Sequence, residues 1–143
     1  MSNFNSIFVN PTIKELPEEI FTFKDTVLQK HLIVGRVAFE ELAQRYYTDK
    51  SVWVFTRNID VYGWIQSNYK NRDWINIIAN PADLPNELNY TVCGGAQTFA
   101  LFADKITEAY SICDGPDTSP FSNMFKKSEI VLTKDEFSVI KYT

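Results

Sequence analysis

The residues of this sequence best suited to chemistry fall into three small groups. Glu19 lies three residues after Leu16, one before Ile20 and four before Phe23, so on a helix it shares their apolar face. Glu18, Thr22 and Asp25 share the wet face. Burial raises the pKa of a carboxylate, which can then act as an acid or receive a cationic or donor-rich ligand. The same residue can equally be a helix-start carboxylate satisfied by backbone amides and the helix dipole, and spacing leaves both readings open. The second group is Cys93-Gly94-Gly95-Ala96-Gln97-Thr98-Phe99, a glycine pair between an expected strand and helix. Such a pair lets the backbone approach a phosphate closely, with helix amides aimed at the anion, although a plain tight turn uses the same residues. The third group is Arg36 and Arg57, each just past a strand end, where a guanidinium can clamp a phosphate or lie in solvent.

The elements that must position these groups are legible in the apolar pattern. Short apolar or β-branched runs predict strands at Phe4 to Val9, His31 to Gly35, Ser51 to Thr56, Trp74 to Ile78, Asn89 to Cys93 and Ala109 to Cys113. Glu129 to Thr133 and Phe137 to Tyr142, separated by Lys134-Asp135-Glu136, predict an antiparallel hairpin. Helical spacing opens at Leu16-Pro17-Glu18-Glu19 and continues through Ile20, Phe23 and Val27. It returns from Val37 to Arg45 through Phe39, Leu42 and Ala43, again through Thr98, Leu101, Phe102 and Ile106, and ambiguously from Val61 to Asn71. The order describes an α/β fold, a mostly parallel sheet with an antiparallel edge, in one domain spanning residues 1–143. In such a sheet a ligand crevice lies beyond the carboxyl ends of the strands, where Gly35-Arg36, Thr56-Arg57 and Gly94-Gly95 converge.

Composition removes several function classes. With 143 residues, 45% of them hydrophobic, the chain can bury a real core. A net charge of -4 gives no overall electrostatic reason to bind nucleic acid or an anionic membrane. No window supplies the roughly 18 apolar residues that span a bilayer, and no secretory leader opens the chain, so a cytoplasmic protein is expected. Cys93 and Cys113 stand alone, without a second Cys or a His at ligand spacing, so no metal site is expected and both read as core residues. The single histidine, His31, precedes an apolar strand and reads as structural.

Four ordered segments together resemble the dihydrofolate reductase family over most of the chain. They are Leu16-Pro-Glu-Glu-Ile-Phe-Thr-Phe-Lys24, Leu32-Ile-Val-Gly-Arg-Val-Ala-Phe-Glu40, Val54-Phe-Thr-Arg-Asn58 and Val92-Cys-Gly-Gly-Ala-Gln-Thr-Phe99. The resemblance implies that fold, with helices on both faces of the sheet, and a reaction in which NADPH delivers a hydride to C6 of dihydrofolate while N5 takes a proton. It puts Glu19 at the family's acid, gripping the pterin amino group and ring nitrogen. It puts Phe8, Ile20, Phe23, Leu42, Cys93 and Phe99 around the substrate. Gly35, Arg36, Val37, Ala38, Thr56, Arg57, Gly94, Gly95, Ala96, Gln97 and Thr98 fall on the cofactor side, with the Gly94-Gly95 bond as the family's cis peptide.

Departures from the pattern accompany the matches. About six residues separate the first strand from Leu16, too few for the long loop that closes over the nicotinamide, so slow turnover is expected. Ala38 replaces the Thr of the Gly-Arg-x-Thr turn. The arginine that holds the folate α-carboxylate aligns with Lys50, or with Asp49 at a shift of one. The Thr that supports the acid aligns with Ile112 or Ser111, and the segment from Ile59 to Asn71 has no counterpart. The leading expectation is a minimal NADPH-dependent dihydrofolate reductase, a monomer or small homo-oligomer. The alternatives are a related NADPH reductase of another pterin or a pyrimidine, or a non-catalytic scaffold using Tyr46, Tyr47, Tyr62, Trp64 and Tyr69 to meet a partner.

Overall fold

A computed structural model of the chain describes residues 2–41, 49–57, 60, 63 and 73–143. Eight strands form one sheet: β1 (Asn3–Val9), β2 (His31–Gly35), β3 (Ser51–Phe55), β4 (Ile75–Ile78), β5 (Asn89–Gly94), β6 (Glu108–Cys113), β7 (Ser128–Lys134) and β8 (Phe137–Tyr142). Their order across the sheet is β4-β3-β2-β5-β1-β6-β8-β7. Every pair from β4 to β6 is parallel, and β8 pairs antiparallel with both β6 and β7. The expected parallel sheet with an antiparallel C-terminal hairpin is therefore present.

Three helices position the site: α1 (Glu18–Val27), α2 (Arg36–Glu41) and α3 (Ala96–Phe102). Alternation along the strands divides the core into two faces. Leu32 and Val34 of β2 pack with Ile7, Ile20 and Phe39 beneath α1 and α2. Ile33 points the other way, into a cluster with Phe4, Tyr90 and the α3 residues Phe99 and Phe102. Helices thus cover both faces, as the resemblance implies.

Some boundaries move. Pro17 caps α1, so the helix opens at Glu18 rather than Leu16. The third helix ends at Phe102, and Lys105 and Ile106 turn back onto its last carbonyl. Residues 42–45 of the second expected helix, including Leu42, lie outside the described residues, as do Tyr46, Tyr47, Tyr62, Trp64 and Tyr69. Among the described residues no helix is long and apolar enough to cross a membrane, and no cluster of His, Cys, Asp and Glu could hold a metal ion.

Candidate active site

A cleft of about 1050 Å³ opens beyond the carboxyl ends of β1, β2 and β5. Phe8 and Val9 of β1 and Cys93 and Gly94 of β5 form its floor with Leu32. One wall is the β1–α1 loop with Glu18, Phe21 and Lys24 of α1; the other includes Ala96 and Phe99 of α3 and the segment Thr118, Ser119 and Pro120.

The glycine pair sits where chain crowding requires it. Gly94 has φ +118°, and a Cβ there would stand 3.1 Å from the Phe99 ring. The Gly94-Gly95 peptide is cis. A Cβ at Gly35 would stand 2.8 Å from Thr98 Oγ1, so glycine at that position lets the end of β2 meet the start of α3. At Gly95 the corresponding direction is open, with no atom within 4 Å, and Gly95, Ala96 and Gln97 are exposed. Arg36 and Arg57 are exposed at the ends of β2 and β3, and the Thr56 amide donates to the Ile78 carbonyl at 2.9 Å. Open backbone beside two guanidinium-bearing residues fits an anionic dinucleotide.

The expected residues divide between the cleft and its surroundings. Phe8, Ala38, Cys93, Gly94, Gly95, Ala96 and Phe99 line the cleft. Gly35 and Thr98 pack just behind it, and Val37 is exposed on α2. Ile20 is fully buried, and Phe23 lies edge-on against Tyr110 with centroids 5.7 Å apart. The Lys50 ammonium donates to the Leu28 carbonyl at 3.2 Å. Ile20, Phe23 and Lys50 thus support the elements around the cleft rather than line it.

Glu19 does not lie on the apolar face expected from its spacing. Its side chain is 62% exposed, lies 3.4 Å from Lys134 Nζ of β7 and is outside the cleft lining. The cause is helix geometry: Ile20, Phe23 and Val27 set the buried stripe, and successive residues turn by about 100°. Glu19 therefore falls on the β7 flank, while Phe21 and Glu18 fall on the cleft flank. Glu18, expected on the wet face of α1, is the acidic residue of that helix that lines the cleft.

Sequence reading also passed over Lys24, 8% exposed on the cleft wall, which acts electrostatically with Lys50 on Cys93. Burial pushes the Cys93 thiol up to about 12 against the pull of these two lysines, so it stays protonated and unreactive at neutral pH. A further carboxylate, Asp117, accepts bonds from Ser111 Oγ at 2.7 Å, from the Ser119 amide at 2.9 Å and from the Tyr142 hydroxyl. Ser111 is thereby committed to Asp117, not to an acid on α1. Nothing in the apolar pattern marks Asp117, whereas Lys24 carries one signal, a lysine beside the apolar stripe of an amphipathic helix.

Comparison with known proteins agrees with this architecture. Residues 9–116 match the family model described as dihydrofolate reductase. This chain belongs to the dihydrofolate reductase family. Among solved structures it is similar to the dihydrofolate reductase from Enterococcus faecalis complexed with NADP(H) and RAB-propyl, with a TM-score of 0.63 and 14% sequence identity. That alignment covers 98% of this chain and 95% of the other. No curated protein matches.

Proposed function

We propose that this chain uses NADPH to reduce dihydrofolate to tetrahydrofolate. The observation that carries this reading is the meeting of Gly35, Thr98 and the Gly94-Gly95 turn against a large cleft in a member of this family. Gly95, Ala96 and Gln97 would hold the diphosphate through backbone amides, and Arg36 and Arg57 would hold the remaining phosphate charge. When bound, NADPH supplies the hydride for C6. Phe8, Phe21 and Phe99 would stack against the flat ring and exclude water beside it. The acid role is proposed for the Glu18–Glu19 pair. Glu19 has the family position and Glu18 has the cleft, where its carboxylate can accept from the ring amino group and relay a proton towards N5. Turnover is expected to be slow, because the β1–α1 loop is too short to seal the reacting ring from water.

A specific observation favours a second reading, a related reductase of a smaller pterin or a pyrimidine. Lys50, the residue aligned with the folate-tail cation, already donates to the Leu28 carbonyl.

The test is the initial rate of NADPH oxidation with and without dihydrofolate, for wild type, Glu18→Gln and Glu19→Gln. A dihydrofolate-dependent rate in the wild type is expected. Loss of a positioned acid lowers it by about 10²-fold or more, and Glu18→Gln is expected to be the variant that shows this. Loss in Glu19→Gln alone would return the acid role to the family position. No dihydrofolate-dependent rate in the wild type, with NADPH bound, would favour the second reading.

A further inference from the structure

Asn10, at the end of β1, is only 8% exposed, and its polar groups are committed. Its amide donates to the Ile112 carbonyl at 3.0 Å, and its carbonyl accepts from the Ile13 amide at 2.9 Å. Side-chain Oδ1 accepts from the Thr12 amide at 3.1 Å and the Thr12 hydroxyl at 3.0 Å. Nδ2 donates to Asp114 Oδ1 at 3.4 Å. The carboxamide accepts from Thr12 through its oxygen and donates to a carboxylate through its nitrogen, which an ionised aspartate at this position would not do, and this accounts for Asn over Asp. These bonds fold Pro11 and Thr12 into a turn and tie it to the residues at the end of β6.

The loop beyond this turn is itself cleft wall: Ile13, Lys14, Glu15 and Leu16 all line the cavity, and Pro17 then caps α1. The opposite lip is anchored to the same part of the sheet, where Asp117 holds Ser119 beside Thr118 and Pro120. Both lips are thus hydrogen-bonded to the end of β6 and its following turn. We propose that Asn10 is a positioning residue that holds residues 11–16 as a finished wall of the cleft before any ligand arrives, so that no loop closure accompanies binding. This rests on the reductase reading for the identity of the ligands, although the clamp itself does not.

The test combines amide hydrogen exchange with steady-state kinetics on wild type, Asn10→Ala and the double variant Asn10→Asp/Asp114→Asn, which reverses donor and acceptor across the pair. The Thr12 and Ile13 amides of Asn10→Ala should exchange at least about tenfold faster than wild type, with β2 and β5 amides unchanged. KM for dihydrofolate should rise about fivefold with kcat within about twofold, the signature of a misplaced wall rather than a lost acid. The double variant should bring both readouts back towards wild type. Two results would overturn the proposal: exchange in Asn10→Ala equal to wild type, or wild-type loop amides that gain about tenfold protection when NADPH and dihydrofolate are added, as in a closing lid. A wild type without turnover would count against the reductase reading instead, and the exchange contrast between wild type and Asn10→Ala would then decide the clamp alone.

Discussion

Glu18 and Glu19 are one peptide bond apart, yet the first faces the cleft and the second meets Lys134. The Glu19–Lys134 pair is solvent-exposed on both sides, so Glu19→Gln should cost no more than about 0.2–1 kcal/mol in urea unfolding. A large kinetic loss in that variant would therefore not come from misfolding. Spacing correctly set Ile20 and Val27 inward, but it put Glu19 beside that stripe and Glu18 on the far side of the helix, without saying which of them meets the cleft. The choice between them is made by β7, a strand far away in sequence, and so was illegible locally. Asp117 has a different environment: burial would push its carboxyl up, but hydrogen bonds from Tyr142, Ser111 and Ser119 outweigh this and hold it below the ordinary 3.8. A lowered folded-state pKa means a contribution that is present above the unfolded value and lost as pH falls below it. Tyr142 has the opposite sign. Burial and its bond to Asp117 push its hydroxyl up to about 12, so its contribution is complete below pH 10 and fades as pH rises towards about 12. Asp117→Asn should cost about 1–2 kcal/mol near pH 7, discounted for a half-exposed group. The gap from wild type should close below pH 4 and narrow again above pH 10; urea titrations across that range measure it, and a constant gap would dissociate Asp117 from both effects.

At the scale of elements, the junction of β2 with α3 is the most demanding contact around the cleft. Gly35→Ala would bring a methyl to 2.8 Å from Thr98 Oγ1, and Thr98 is itself buried. Overpacking of this kind costs about 1–3 kcal/mol. Thermal unfolding of Gly35→Ala, Thr98→Ala and the double variant should give a double variant more stable than the sum of the two single effects implies. Simple additivity would mean that the junction relaxes without Thr98. The strands were legible because each is a short β-branched or aromatic run bounded by turn residues, as in Ser51-Val-Trp-Val-Phe55. The glycine junction was legible as a motif. The residues that anchor the cleft walls were not: Asn10 and Asp117 look like ordinary turn residues until the fold brings Asp114 and Tyr142 to them.

At the scale of the molecule, the cleft joins residues from β1 through to the segment after β6, so a ligand seated there ties distant parts of the chain together. NADPH at 100 times its dissociation constant should add about 2.7 kcal/mol to stability, read as a rise in Tm that grows with concentration. NADH giving an equal rise would argue against a role for Arg36 and Arg57 in selecting the extra phosphate. The strand order itself was readable only in part, since apolar runs announce strands without naming their neighbours. β1 is the example: it is first in sequence yet lies between β5 and β6, with Asn3 opposite Asn89 and Asn5 opposite Glu108. Its partners are thus the last of the parallel strands to be made. During synthesis on the ribosome, β1 leaves the exit tunnel with Ile7 and Phe8 uncovered and waits until residues beyond 108 have followed. In that interval β2 and β3 are the first parallel neighbours able to pair. The nascent chain is consequently most exposed to chaperones and proteases through its own first strand, and the cleft, whose floor includes that strand, is among the last parts to form.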